Sequence, residues 1–175
     1  MDTQAQHFRP ACDADIPDIV ALVNRAYRDE SVCGWTSECE LVEGMRTDVS
    51  QITQMINSSN TQLICMFTEH RLLGCVQLET RDKETYLGML TIDPSQQGHG
   101  FGTRLLEAAE AYALEELASN MISMRVISQR TELIEFYQRR GYVRSGEVSA
   151  YPVNSHVGQP KLEDLTLERL FKTQG

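Results

Sequence analysis

Three alternating glycines separate an apolar segment from an amphipathic one within residues 90–106. Gly98, Gly100 and Gly102 carry no side chain, so the backbone can approach a ligand closely at these positions. If a helix begins there, several backbone N–H groups at its N-terminus lack intrahelical partners and can point at one phosphate group. A tight strand-to-helix turn that binds nothing is the alternative, but it needs only one or two glycines. The spacing therefore predicts a site for a phosphate-bearing ligand.

Two common phosphate motifs do not fit this segment. A dinucleotide fingerprint has the pattern Gly-x-Gly-x-x-Gly, but counting from Gly98 the last glycine is replaced by Thr103, and the acidic residue expected about twenty positions further on is absent around Asn120. A Walker loop ends in Gly-Lys-Ser/Thr, and no lysine lies between Lys83 and Lys161. The departures argue against a dinucleotide-binding module and against nucleotide hydrolysis.

The pattern Gln97-x-x-Gly100-x-Gly102 after a predicted strand resembles the pyrophosphate loop of the GNAT superfamily of N-acetyltransferases. Residues 132–142 resemble a second feature of that family, a short helix that ends in a Tyr-x-x-x-Gly-aromatic signature. The two segments occur in the family's order. The resemblance implies an α/β fold over almost the whole chain: a central mixed, mostly antiparallel sheet with two splayed parallel central strands and helices on both faces.

The resemblance also implies acetyl-CoA as the co-substrate. Backbone groups of the strand before the loop pair with the pantetheine arm and polarise the thioester carbonyl, while amides of the loop hold the pyrophosphate. Arg130 stands where many relatives carry an asparagine that contacts the cofactor arm, so it could reach a cofactor phosphate or only cap a helix. His99 adds a contact or is merely exposed. The predicted cofactor-binding residues are Leu90, Thr91, Ile92, Gln97, Gly98, His99, Gly100, Phe101, Gly102, Thr103 and Arg130.

Tyr137 stands where many GNAT proteins place the general acid that protonates the departing thiolate. Phenol and thiol pKa values are close enough for this proton transfer to be feasible. The alternative is a packing tyrosine with one satisfied hydroxyl, because apolar residues surround it on the same predicted helix. Tyr142, after the motif glycine, is predicted as a core aromatic.

No general base is indicated by the sequence. Some relatives carry a glutamate on the cofactor strand, but Tyr86 occupies that position here. Nearby carboxylates could take a proton through water, or could simply be solvated: Glu38, Glu40, Glu43, Glu79 and Glu84.

Residues 34–38 resemble a segment of a subset of uncharacterised bacterial acetyltransferases. The region between the first two helices of GNAT proteins usually forms a wall of the acceptor site, which makes Trp35, Thr36 and Glu38 the predicted acceptor-binding residues. Trp35 could instead anchor the loop to the core. Cys33 in the same loop suggests a covalent acetyl-enzyme, but no histidine stands in a recognisable partnering motif.

Hydrophobic periodicity predicts the elements that position these residues. Residues 7–12 are predicted as an opening strand, and Asp13 or Asp15 as the cap of a helix that has Pro17 in its first turn. The remaining predicted elements are three antiparallel strands joined by short turns, three helices and three later strands. The predicted ranges are 63–68, 72–79 and 86–92 for these strands, 49–56, 101–117 and 133–140 for helices, and 124–127, 142–148 and 165–170 for the later strands.

Composition limits the class of protein. The 175 residues, 41% of them hydrophobic, are sufficient for one α/β domain over residues 1–175. Five cysteines without a Cys-x-x-Cys pair favour reduced thiols, and the polar N-terminus lacks signal-peptide features, so we expect a cytoplasmic protein. A formal net charge of −9 disfavours nucleic acid and anionic membranes and favours cationic acceptors such as amines.

Together these features predict a cytoplasmic acetyltransferase that moves an acetyl group from acetyl-CoA directly to an amine, with a small-molecule acceptor favoured over a protein or peptide. A non-catalytic coenzyme A binding or sensing domain is the alternative that keeps the glycine loop without the chemistry. The resemblance also leaves a homodimer open, since relatives often form dimers.

Overall fold

A seven-stranded mixed sheet forms the centre of the computed structural model, which describes residues 5–32, 34–69, 71–153 and 156–174. Short 3-10 turns at Asp13–Asp15 and Pro94–Gln96 accompany the regular elements. The α-helices are α1 (Ile16–Arg28), α2 (Val49–Asn57), α3 (Phe101–Glu115) and α4 (Thr131–Gln138). The strands are β1 (Gln6–Pro10), β2 (Val42–Glu43), β3 (Thr61–Thr68), β4 (Arg71–Arg81), β5 (Glu84–Ile92), β6 (Met121–Ile127), β7 (Val143–Ala150), β8 (Gln159–Pro160) and β9 (Thr166–Thr173).

The sheet has the strand order β1-β3-β4-β5-β6-β9-β7, and its neighbours are antiparallel except β5 and β6. These two strands run parallel because α3 forms the crossover between them. Their pairing begins at Glu84 with Met121 and ends at Tyr86 with Ser123. Beyond these pairs β5 and β6 separate, which opens a gap at the centre of the sheet.

Helices cover both faces of this sheet, as predicted. Side chains alternate along β3, so that Cys65 packs with α1 and α2 whereas Met66 packs with α3 and α4. The core on the first face includes Ile19 and Ile52, and the core on the second includes Leu105 and Ile134. The predicted α/β fold, with its mostly antiparallel sheet and splayed parallel strands, is confirmed.

Element boundaries differ from the predictions where tertiary contacts decide them. The opening strand covers Gln6–Pro10 and not residues 7–12, and it ends at a proline, which has no N–H to donate. Asp15 is the residue before α1, but its side chain makes no capping hydrogen bond to this helix. The two-residue strands β2 and β8 pair with each other and were not predicted, because a two-residue strand carries no hydrophobic period.

None of the helices in the described ranges has both the length and the apolar character that crossing a membrane requires.

Asp15 anchors the corner between β1 and α1. Its carboxylate accepts hydrogen bonds from the Arg9 guanidinium at 2.7 and 2.9 Å and from the Cys12 amide at 2.8 Å. The bond from Arg9 lowers the pKa of Asp15 to about 2, although burial opposes the change. Because this pKa lies below that of an unfolded aspartate, the stabilisation is fully present above about pH 4 and is lost as the pH falls through about 2.

We therefore expect Asp15→Asn to lower the free energy of unfolding by about 1 to 2 kcal/mol at pH 7. This value is reduced because the partly exposed Arg9 guanidinium is screened by solvent. The difference from the parent should shrink as the pH falls from 4 towards 2, as measured by urea unfolding at several pH values. Asp18→Asn, at an exposed position in the first turn of α1, is the matched control. A difference that did not depend on pH would contradict the ion-pair explanation.

Candidate active site

A cavity of about 270 Å³ lies in the gap where β5 and β6 separate. It brings together residues that were predicted separately, from the loop after α1, from β5 and from α4. The predicted site residues that line it are Trp35, Thr36, Glu38, Leu90, Arg130 and Tyr137. The predicted acceptor-binding residues and the predicted general acid therefore share one cavity.

A second cavity, of about 230 Å³, lies against the glycine loop at the start of α3. Gly98 and Gly100 have φ angles of +84° and +78°, which side chains other than glycine rarely adopt. A Cβ atom built on either residue would meet nothing within 4 Å. The space above these glycines is therefore open, and it fits a phosphate group at a helix N-terminus.

Trp35 lines both cavities. Its ring packs against Phe136 of α4 at a centroid distance of 5.0 Å, and its Cζ2 atom would lie 3.0 Å from a Cβ atom on Gly102. Gln97 holds the loop after α1 in place. Its Oε1 accepts from the Trp35 amide at 2.9 Å, and its Nε2 donates to Thr36 Oγ1 at 3.1 Å. Trp35 is thus a fixed wall between the two cavities.

Arg130 also holds the loop after α1, through the backbone carbonyl groups of that loop. This residue is buried at the start of α4. Its guanidinium donates to the Trp35 carbonyl oxygen and, at 3.3 Å, to the Thr36 carbonyl oxygen. The side chains of Gln97 and Arg130 are therefore engaged in holding residues 35 and 36. Their predicted contacts with a cofactor stay predictions.

The predicted cofactor strand has side-chain partners on its carbonyl groups. The Tyr27 hydroxyl donates to the Leu90 carbonyl at 3.1 Å, and Gln97 Nε2 donates to the Ile92 carbonyl at 3.2 Å. Thr91 is fully buried, and its hydroxyl donates to the Met89 carbonyl at 2.9 Å. A carbonyl oxygen has two lone pairs, so Leu90 and Ile92 can each accept one more hydrogen bond.

The remaining predicted residues of the loop surround the second cavity or lie beside it. Phe101 and Thr103 are half-buried and line it. His99 is exposed, its Nδ1 lies 3.2 Å from the Gln96 carbonyl, and it is not among the lining residues.

Tyr137 is 5% exposed and packs edge-on against the rings of Phe136 and Tyr142. In the described part of the chain no group forms a hydrogen bond with its hydroxyl. Burial raises the pKa of Tyr137, so the phenol stays protonated at neutral pH. Tyr142, by contrast, is fully buried and donates to Glu110 at 2.9 Å, which agrees with its predicted place in the core.

The carboxylates considered as bases are paired or lie outside the first cavity. Glu38 lines that cavity but forms an ion pair with Arg28 at 2.8 Å. Glu84 accepts from Ser123, which lowers its pKa, and pairs with Arg169 at 2.9 Å. Glu79 pairs with Arg81, and the exposed Glu40 and Glu43 are not among the lining residues. No residue is assigned as the base.

Sequence reasoning missed several residues that line the two cavities. Arg140 stacks over the Phe136 ring at 3.5 Å, donates to Thr103 Oγ1 at 2.5 Å and lines the glycine-loop cavity, where a guanidinium suits an anionic ligand. Its position before the motif glycine was a usable signal. No pattern in the sequence pointed to the other residues, which lie far apart in the chain: Tyr27, Arg46 and Tyr151.

Cys33, the residue behind the acetyl-enzyme alternative, lies outside the described residues. Of the cysteines that the structure describes, Cys65 and Cys75 are buried and Cys12 and Cys39 are at least partly accessible, all as free thiols. Across the described ranges, no group of three or more His, Cys, Asp or Glu side chains is placed to hold a metal ion.

Comparison with known proteins identifies relatives with the same architecture. Over 63 residues the chain is 36% identical to the S-(2-succino)cysteine N-acetyltransferase of Bacillus subtilis (strain 168), a match that spans 35% of this chain and only 38% of that relative. Mutant forms of the spermidine/spermine N-acetyltransferase SpeG from Vibrio cholerae superpose with a TM-score of 0.69 at 17% identity, covering 97% of this chain and 95% of theirs. A ribosomal-protein-alanine N-acetyltransferase from Escherichia coli gives 0.72 at 12% identity, covering 97% and 94%. The structural similarities show the fold.

The sequence profile of the family described as "Acetyltransferase (GNAT) domain" matches residues 24–151, which is more than half of the chain. The match includes the loop that carries Trp35, the glycine loop and the helix that carries Tyr137. This chain belongs to the GNAT family of N-acetyltransferases.

Proposed function

We propose that this GNAT acetyltransferase moves the acetyl group of acetyl-CoA directly to the amine of a small molecule. One observation carries the proposal. An open glycine loop and a buried, protonated phenol line two cavities that share Trp35 as a lining residue. A long ligand with phosphates at one end and a reactive group at the other suits such an arrangement.

The residues of the second cavity fit the phosphates of acetyl-CoA. Gly98 and Gly100 leave the required space, and the Arg140 guanidinium lies at the same cavity. When bound, acetyl-CoA supplies an acetyl group activated as a thioester. Leu90 and Ile92, on the part of β5 that does not pair with β6, are the proposed contacts of its arm.

Tyr137 is the proposed general acid. Its hydroxyl has no hydrogen-bond partner among the described residues and retains its proton at neutral pH, so that proton is available to a departing thiolate. A thiolate in the same buried cavity is also poorly solvated, which raises its own proton affinity towards that of the phenol. Trp35, Thr36 and Glu38 line the cavity and are proposed to contact the acceptor.

The relatives support a small acceptor without fixing it. The Bacillus relative is named for a cysteine derivative and the Vibrio enzyme for spermidine and spermine, whereas the Escherichia enzyme is named for a ribosomal-protein alanine. A protein or peptide acceptor is the second candidate. Thiol release from acetyl-CoA, measured across polyamines, amino acids and N-terminal or lysine peptides, separates these classes.

We expect Tyr137→Phe to lower kcat at least about 100-fold, because general acid catalysis typically contributes this much. Thermal stability and acetyl-CoA affinity should change little, since the hydroxyl has no partner to lose. Tyr142→Phe is the matched control: it removes a hydroxyl that bonds to Glu110, so it should cost about 1 kcal/mol of stability and leave kcat unchanged. An unaltered kcat in Tyr137→Phe would refute the acid assignment and favour a non-catalytic coenzyme A domain.

Substitution of the loop glycines tests the proposed phosphate site. Gly98→Ala and Gly100→Ala should each destabilise the fold by about 1 kcal/mol through the positive φ angle. They should weaken coenzyme A binding at least about tenfold, because the added methyl group occupies the open space above the loop. Isothermal titration calorimetry measures the affinity, with NAD as the comparison ligand.

Gly146→Ala is the matched control for these variants. Gly146 has a φ angle of +86° and also meets nothing within 4 Å, but it lies on β7 and outside the glycine-loop cavity. It should show the same loss of stability with unchanged coenzyme A affinity. Equal affinities in Gly100→Ala and Gly146→Ala would place the phosphates elsewhere.

A further inference from the structure

The cavity between β5 and β6 contains an arginine that no carboxylate neutralises. Arg46 lines this cavity and is partly buried, yet it forms no ion pair within the part of the chain that the structure describes. Its guanidinium carbon lies 5.4 Å from the centre of the Tyr27 ring. Acidic residues outnumber basic ones by 25 to 16 in this chain, so a counter-ion would have been readily available. A partly buried cation without one is costly unless a ligand supplies the negative charge.

The backbone around Arg46 is held in place by Asn24 of α1. The Asn24 Oδ1 atom accepts from the amides of Arg46 at 2.8 Å and Thr47 at 3.2 Å, and its Nδ2 donates to the Thr47 carbonyl at 2.9 Å. Thr47 is 1% exposed. Because the backbone of this segment is fixed before any ligand binds, only the Arg46 side chain loses conformational entropy when it takes a partner.

The other charged groups of the cavity already have an ion-pair or hydrogen-bond partner. Glu38 is paired with Arg28, Arg130 is bonded to carbonyl oxygens of the Trp35 loop, and Arg125 donates to the Ser149 hydroxyl at 3.2 Å. Among its described lining residues the cavity therefore has a positive balance of charge and offers no free carboxylate to a polycation. An acceptor with two or more ammonium groups would be repelled by Arg46.

Arg46 lies away from the glycine loop. It is a lining residue of the first cavity but not of the second, and its charge acts on Tyr27, Tyr86 and Tyr151, where it lowers pKa values that burial raises. These tyrosines belong to the wall of the first cavity. The phosphates of a co-substrate at the glycine loop are thus not the partner of Arg46.

We propose that the acceptor is an amine that also carries a carboxylate, an amino acid or one of its derivatives, and that Arg46 binds this carboxylate. The proposal rests on the acetyl transfer proposed above and specifies its substrate class. A planar guanidinium binds a carboxylate through two parallel hydrogen bonds, which orients the acceptor as well as holding it.

The test compares amino acids with the amines that remain after decarboxylation: phenylalanine with phenethylamine, and leucine with isoamylamine. In the parent protein kcat/KM should be higher for the amino acid of each pair. Arg46→Met should lower kcat/KM about 10- to 100-fold for the amino acids and by less than about threefold for the amines. Arg46→Lys should lie between the two. Arg139→Met, at an exposed position on the surface beyond α4, is the charge-matched control.

A binding measurement keeps the two proposals separable. In the presence of coenzyme A, N-acetylated amino acids should raise the melting temperature of the parent and of Arg139→Met but not of Arg46→Met, whereas N-acetylated amines should raise it in none. Turnover that favours the decarboxylated amines, or equal losses for both members of each pair in Arg46→Met, would overturn the carboxylate site and leave acetyl transfer standing. Carboxylate-dependent binding without any turnover would support the site and refute the proposed activity. Absence of both turnover and carboxylate-dependent binding would refute both.

Discussion

The early end of pairing between β5 and β6 is the constraint on which the site depends. After Tyr86 and Ser123 the two strands no longer pair, which leaves backbone groups of β5 facing a gap in the middle of the sheet. Buried backbone groups without partners are costly, so other parts of the chain must bond to them. Tyr27 from α1 bonds to the Leu90 carbonyl, and Gln97 from the glycine loop bonds to the Ile92 carbonyl. These hydrogen bonds satisfy carbonyl groups that face the gap, and they also bring α1 and the glycine loop to the edges of the gap.

Gln97 also connects the gap to the loop after α1. Its amide group reaches the Trp35 amide and the Thr36 hydroxyl, while Arg130 bonds to the carbonyl groups of the same two residues from α4. Donors and acceptors on both sides of a short segment leave it little freedom. The wall between the two cavities is consequently held by hydrogen bonds from the glycine loop and from the start of α4, although it belongs to no helix or strand.

The fold could be predicted from the sequence wherever a local pattern decided it. The glycine spacing, the helical period of α3 and the short turns of the three-strand meander are properties of neighbouring residues. The ladder between β2 and β8 could not be predicted, because its strands are two residues long and lie more than a hundred positions apart in the sequence. For the same reason the sequence indicated Gln97 and Arg130 as residues of the site without revealing that their side chains bond to residues 35 and 36. Arg46 was missed altogether, since its place in the cavity is set by Asn24, 22 positions earlier.

Overall charge and local charge act over different distances in this molecule. The net charge of −9 produces a field that favours cations at long range, whereas the described residues of the cavity lining include the Arg46 guanidinium without an ion pair and no free carboxylate. A polyamine is attracted by the overall negative charge but repelled by the guanidinium in the cavity. A simple anion is repelled by the overall charge but attracted by the guanidinium. An amino acid carries an ammonium group and a carboxylate within a few bonds of each other, so its net charge is near zero and the outer field does not exclude it. Inside the cavity, the carboxylate can meet Arg46 while the amine stays free to react, which makes the two charge distributions compatible with one acceptor.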